Sequence, residues 1–125
     1  MARILLVDDE PMLRETLRIA LTGAGHAVTV APDGKAALAL LARDASFDVV
    51  ITDILMPETD GLEMIMRLRK DSGHVRIIAM SGGGRTRNMD MLEFASSFGA
   101  DAVLAKPFLP KQLIASVQDV MGRNL

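Results

Sequence analysis

Residues 4–11 read Ile4-Leu5-Leu6-Val7-Asp8-Asp9-Glu10-Pro11: four apolar residues without alternation, three consecutive acids, then a proline. A run this short and uniformly apolar, stopped by charge, has the pattern of a parallel strand buried on both faces. The same pattern returns three times. Val49-Val50-Ile51 runs into Thr52-Asp53, Ile77-Ile78-Ala79-Met80 into Ser81, and Ala102-Val103-Leu104-Ala105 into Lys106. A weaker run, Ala27 to Ala31, supplies a fifth strand.

Helical signals separate the strands. Pro11 suits a first helical position, Leu13, Leu17, Ala20, Leu21 and Ala24 share one face, and Gly25 ends the helix. Asp33-Gly34 is a turn opening a second helix that carries Ala37, Leu38 and Leu41 inward. A third starts near Gly61, capped by Thr59 or Asp60, carries Leu62, Ile65 and Leu68 and runs to about Asp71, where Ser72-Gly73 stops it. After Ser81-Gly82-Gly83-Gly84, a fourth places Met91, Leu92, Ala95 and Phe98 on one face and ends at Gly99. Pro110 opens the last, whose Leu113, Ile114, Val117, Val120 and Met121 form an apolar stripe. Strands alternating with helices imply an α/β, doubly wound, five-stranded parallel sheet with right-handed crossovers.

The bulk numbers exclude several classes. A chain of 125 residues that is 50% hydrophobic fills one core, and a single domain over 1–125 is expected. The net charge of −2 and the scattered Lys and Arg argue against direct binding to nucleic acid. With no Cys there is no thiolate zinc site, and no apolar run approaches a membrane span or a signal peptide's apolar region. A cytoplasmic location fits. The nine Met residues read mostly as core filling, and His26 and His74 as surface or capping residues without a metal.

In doubly wound folds, ligands sit beyond the carboxyl ends of the strands, where the strand order reverses. That is where Asp8, Asp9, Asp53, Ser81 and Lys106 fall. Adjacent residues of an extended strand point to opposite faces, so Asp8 and Asp9 line one site only where the strand has begun to turn; Glu10-Pro11 supplies that turn. Carboxylates from two strand ends suit a hard cation such as Mg²⁺, without which their charges repel. Lys106 can pair with a carboxylate or with a phosphoryl oxygen, Ser81 can donate to the same oxygens, and Asp53 is best placed to act as a carboxylate nucleophile. Singly, each has a duller reading as a helix cap, turn residue or surface lysine. Together they describe a phosphoryl and divalent-metal site.

Leu6-Val7-Asp8-Asp9-Glu10, Thr52-Asp53-Ile54-Leu55-Met56-Pro57 with Asp60-Gly61, Met80-Ser81-Gly82 and Lys106-Pro107-Phe108 occur in order across nearly the whole chain. In these motifs the chain resembles the receiver domains of two-component response regulators, including the small chemotaxis regulator. The resemblance implies a flavodoxin-like (α/β)5 fold with strand order 2-1-3-4-5. It implies phosphorylation of Asp53 by a sensor histidine kinase or phosphotransfer protein, with Mg²⁺ on Asp9, Asp53 and the backbone carbonyl of Leu55, and Asp8 acting through a metal-bound water. Ser81 and Lys106 would bind phosphoryl oxygens, and the Lys106-Pro107 bond would be cis. Such a domain is no enzyme toward other substrates; it catalyses only its own phosphorylation and dephosphorylation. Its output would be protein contacts through the face made by the fourth helix, fifth strand and last helix, as a monomer or a weak phosphorylation-dependent dimer.

Two departures matter. The family's aromatic switch residue, three positions before the lysine, is Val103 here, so the response is expected in the loop Ser81 to Arg87 and the helix after it. Leu55 and Gly83 cannot orient an attacking water, which predicts slow self-dephosphorylation. Arg85 and Arg87 read as an exposed loop that could meet a partner or the phosphoryl rim. Competing readings are weaker. A nucleotide-binding loop at Gly82 to Gly84 lacks its Lys-Ser/Thr ending, and a haloacid-dehalogenase-like phosphohydrolase needs an Asp where Leu55 stands. A phosphorylation-independent interaction module leaves the complete acceptor set unexplained.

Overall fold

A computed structural model describes residues 1–54, 61–71, 75–81 and 99–122, with backbone alone at 61 and 62. The elements are β1 (Arg3–Val7), α1 (Pro11–Gly23), β2 (Ala27–Ala31), α2 (Gly34–Arg43), β3 (Val49–Asp53), α3 (Gly61–Asp71), β4 (Arg76–Ser81), β5 (Ala102–Ala105) and α4 (Pro110–Met121). All strands are parallel, in the order β2-β1-β3-β4-β5. The doubly wound fold expected from the apolar runs is therefore present. The expected helix around Met91 to Phe98, the Thr59/Asp60 cap, the Ser72-Gly73 stop, the Gly82–Gly84 loop, His74, Arg85 and Arg87 lie outside the described residues.

The period-2 geometry of each inner strand sends its apolar residues to two separate cores. Leu5, Val7, Val50, Ile77 and Ala79 face α2 and α3, where they meet Ala37, Met64, Ile65 and Leu68. Ile4, Leu6, Val49, Ile51, Ile78 and Met80 face α1 and α4, where they meet Leu17, Leu21, Leu113 and Val117. Both faces of β1, β3 and β4 are thus covered, which is why those sequences do not alternate.

The edge strands differ. β5 alternates half-buried and exposed residues, and Val103 is 38% exposed, because an edge strand is not enclosed as its inner neighbours are. Of the described methionines only Met64 and Met80 are core; Met1, Met12, Met66 and Met121 are exposed, on outward helix positions or at the terminus. The reading of methionine as mostly core filling is corrected to that extent.

Turn chemistry follows the sequence closely. The Asp33 carboxylate accepts a hydrogen bond from the Ala36 N–H at 2.8 Å and caps α2. α1 ends at Gly23, and the chain leaves it through Gly25 at φ +97, a left-handed conformation that favours glycine. The His26 N–H then donates to the Leu21 carbonyl at 3.2 Å, so His26 helps close α1, but its ring is half-buried rather than on the surface.

Candidate functional site

Strand register brings the chemistry together. Val7 pairs with Thr52, Asp53 with Met80, and Ser81 with Ala105, so β1, β3, β4 and β5 end at nearly one level. Hydrogen bonds extend the ladder past the strands: Ile54 N–H donates to Met80 O at 2.8 Å and Lys106 N–H to Ser81 O at 2.7 Å. Asp53 and Ser81 prove to be the last residues of their strands, whereas Asp8 and Lys106 follow theirs.

Asp8 is fully buried and held on every side. Its N–H donates to Ala31 O at 3.2 Å, its Oδ1 accepts from Glu10 N–H at 2.9 Å, and its Oδ2 accepts from Lys106 Nζ at 3.2 Å. The bond from Glu10 makes the tight turn that stops β1 and lets Pro11 open α1. Asp53 is 6% exposed, and its Oδ2 takes a second bond from the same ammonium at 2.9 Å. Asp9 is exposed, yet oxygen atoms of Asp8, Asp9 and Asp53 lie within 4.8 Å of one another.

Lys106 therefore bridges two of the three carboxylates. Burial alone would disfavour its charge, but the hydrogen bond and charge of Asp53, followed by those of Asp8, outweigh it and raise the pKa above the ordinary lysine value. The ammonium is fixed as a cation at neutral pH. The Lys106-Pro107 bond that follows is cis, as the family resemblance implied.

Ser81 is fully buried at the end of β4, beside the strand that delivers Lys106. The Leu55 carbonyl, the remaining expected ligand, lies outside the described residues. Arg14 escaped the sequence reading: its Nη1 donates to the backbone carbonyl of Asp8 at 2.8 Å. Its signal was a basic residue in the opening turns of a helix that starts just past the acids.

The donor set fits a hard divalent cation: three carboxylates from the ends of two strands, close enough to share one ion, with Asp9 open to solvent for the waters that Mg²⁺ retains. Among the described residues no helix is long and apolar enough to cross a membrane.

Comparison with known proteins agrees with this geometry. The family model for the response regulator receiver domain matches residues 4–118. The DNA-binding response regulator MtrA of Mycolicibacterium smegmatis is 39% identical over 122 residues, covering 98% of this chain and 51% of the relative. The chain thus spans about half the length of the curated relatives it matches. Among solved structures, a receiver domain protein from Clostridium thermocellum superposes with a TM-score of 0.91 at 28% identity, covering 98% of this chain and 96% of that one. The chemotaxis protein CheY4 of Vibrio cholerae does so with a TM-score of 0.83 at 32% identity, covering 96% and 98%. With its fold, strand order and acidic strand-end cluster in place, the chain belongs to the response regulator receiver domain family of two-component systems.

Proposed function

We propose that residues 1–125 act as a single receiver domain in which Asp53 accepts a phosphoryl group from a sensor histidine kinase or phosphotransfer protein. The observation that carries this is Lys106 Nζ, shared between Asp8 Oδ2 at 3.2 Å and Asp53 Oδ2 at 2.9 Å. A cation balanced between a buried carboxylate and an acceptor can turn to a phosphoryl oxygen when Asp53 gives up its charge.

A carboxylate oxygen of Asp53 attacks phosphorus; the bond from phosphorus to the donor breaks, and its electron pair leaves with the donor. Lys106 follows the charge from carboxylate to phosphoryl oxygen and keeps Asp8 as its other partner. The Ser81 hydroxyl donates to a phosphoryl oxygen. Asp8, Asp9, Asp53 and the Leu55 carbonyl would hold Mg²⁺, with Asp8 acting through a bound water. When bound, the ion screens the carboxylates from the incoming phosphoryl oxygens.

The domain catalyses only its own phosphorylation and a slow hydrolysis, since Leu55 and Gly83 offer no side chain to orient water. Output is a protein contact on the face of β5, α4 and the segment before Gly99, made in the cytoplasm by a monomer or a weak phosphorylation-dependent dimer. The domain itself touches neither nucleic acid nor membrane. Val103, exposed and aliphatic, leaves the response to residues 81–87 and the segment after them.

Intact-mass spectrometry after incubation with acetyl phosphate and Mg²⁺ tests the reading. The wild type gains one phosphoryl group and Asp53→Asn gains none; an adduct on both, or on neither, overturns it.

A further inference from the structure

Asp8 and Asp9 are neighbours in sequence, yet both carboxylates reach one cluster with Asp53. Something must hold the peptide between them out of the extended geometry that would send them to opposite faces. The Asp8 side chain is secured by Glu10 N–H and Lys106, and its N–H by Ala31 O. The carbonyl of that peptide accepts a side-chain hydrogen bond from Arg14 Nη1 at 2.8 Å.

Arg14 sits toward the end of α1 that does not favour a cation. It is the fourth residue of α1, near the positive end of the helix dipole. The first turn holds no acid, and Glu10 gives α1 no side-chain cap. A half-buried guanidinium kept there against the dipole, and turned back onto the acidic loop, is placed for the loop rather than for the helix.

We propose that Arg14 is a positioning residue for the cation site: by fixing the Asp8–Asp9 peptide it aims the Asp9 carboxylate at the point shared with Asp8 and Asp53. This rests on the Mg²⁺-dependent acceptor reading above. Arg14 touches neither phosphoryl group nor metal in this role. Its loss acts through the angle at which Asp9 is presented, so the defect is one of cation affinity and is overcome by excess cation.

The test compares wild type, Arg14→Met and Arg14→Lys by calorimetric titration with MgCl₂ alone and by the Mg²⁺ dependence of phosphorylation by acetyl phosphate. Removing a group that orients a ligand weakens metal affinity about tenfold at the low end, and Arg14→Met is expected to show that shift. Its rate at saturating Mg²⁺ stays close to wild type, and Arg14→Lys, which keeps a donor and the charge, recovers part of the affinity. Wild-type affinity in Arg14→Met overturns the proposal. So does a reduced maximal rate at unchanged Mg²⁺ half-saturation, or a lowered melting temperature without any change in Mg²⁺ affinity. A wild type that neither binds Mg²⁺ nor gains a phosphoryl group instead sinks the acceptor reading, and this inference with it.

Discussion

The two edges of the sheet use charge in opposite ways. At the amino edge, charged groups are matched to backbone. The Asp48 carboxylate accepts from Arg3 N–H at 2.8 Å, and Asp101 accepts from Ile77 N–H at 2.8 Å. Arg69 donates to the carbonyls of Gly99 and Val75 as well as to Asp101, and Arg76 donates to the last turn of α4 through Val120 O. At the carboxyl edge, one ammonium bridges two of three clustered carboxylates. The first arrangement closes strand ends and loops. The second leaves acid in excess of the bridging base, which favours a cation and a phosphoryl group that the first would have no use for.

The contrast is sharpest in its response to Mg²⁺. Lys106→Met strips the ammonium from buried Asp8 and Asp53, and breaking a buried pair by removing one partner costs about 3 kcal/mol. Urea unfolding in metal-free buffer should show that loss, and adding Mg²⁺ should restore part of it, because the ion replaces some of the missing positive charge. If Mg²⁺ leaves the variant's stability unchanged, the carboxyl edge is not the cation site and the contrast collapses.

Arg69→Met tests the other edge. It deprives two carbonyls and the Asp101 carboxylate of a donor and should cost about 2 kcal/mol. The increment in stability that Mg²⁺ gives the wild type should persist in full, since Gly99, Val75 and Asp101, to which Arg69 donates, lie outside the acidic cluster of Asp8, Asp9 and Asp53. A Mg²⁺ increment that shrinks along with the stability would mean the two edges are coupled through β4, which runs from Arg76 to Ser81.

Much of the carboxyl edge was legible because its chemistry lies at the ends of uninterrupted apolar runs. A buried parallel strand must be largely apolar on both faces, so the polar residues that close each run mark the edge: Asp8, Asp53 (after Thr52), Ser81 and Lys106 could be located that way. Arg14 could not, because its role is carried by a hydrogen bond to a backbone carbonyl, and a composition or a period holds no trace of where a carbonyl points. The amino edge was opaque for a similar reason. Arg69 and Asp101 stand 32 residues apart and look like ordinary surface charges until the fold brings α3 against the start of β5. Exposure of Val103 was hidden too, since an edge strand and an inner strand of equal apolarity differ only in whether they have a neighbour on both sides.

His26 offers the smallest effect and the finest test, because it is the place where the amino edge is incompletely matched. Its Nδ1 accepts from Ala2 N–H at 3.1 Å, while Nε2 is the buried side-chain nitrogen or oxygen left without a hydrogen bond among the described residues. Burial, followed by the nearby N-terminal ammonium, lowers its pKa from the ordinary 6.5. The unfolded chain then takes up a proton at higher pH than the folded one does. Stability is complete above about pH 6.5 and falls as pH drops from there through the lower, folded-state pKa. His26→Gln should flatten that part of the profile while leaving Mg²⁺ affinity unchanged, as measured by urea midpoints between roughly pH 7.5 and 5.5. An unchanged slope would mean that His26 sits as comfortably charged as neutral, and that the amino edge tolerates surplus charge as the carboxyl edge does.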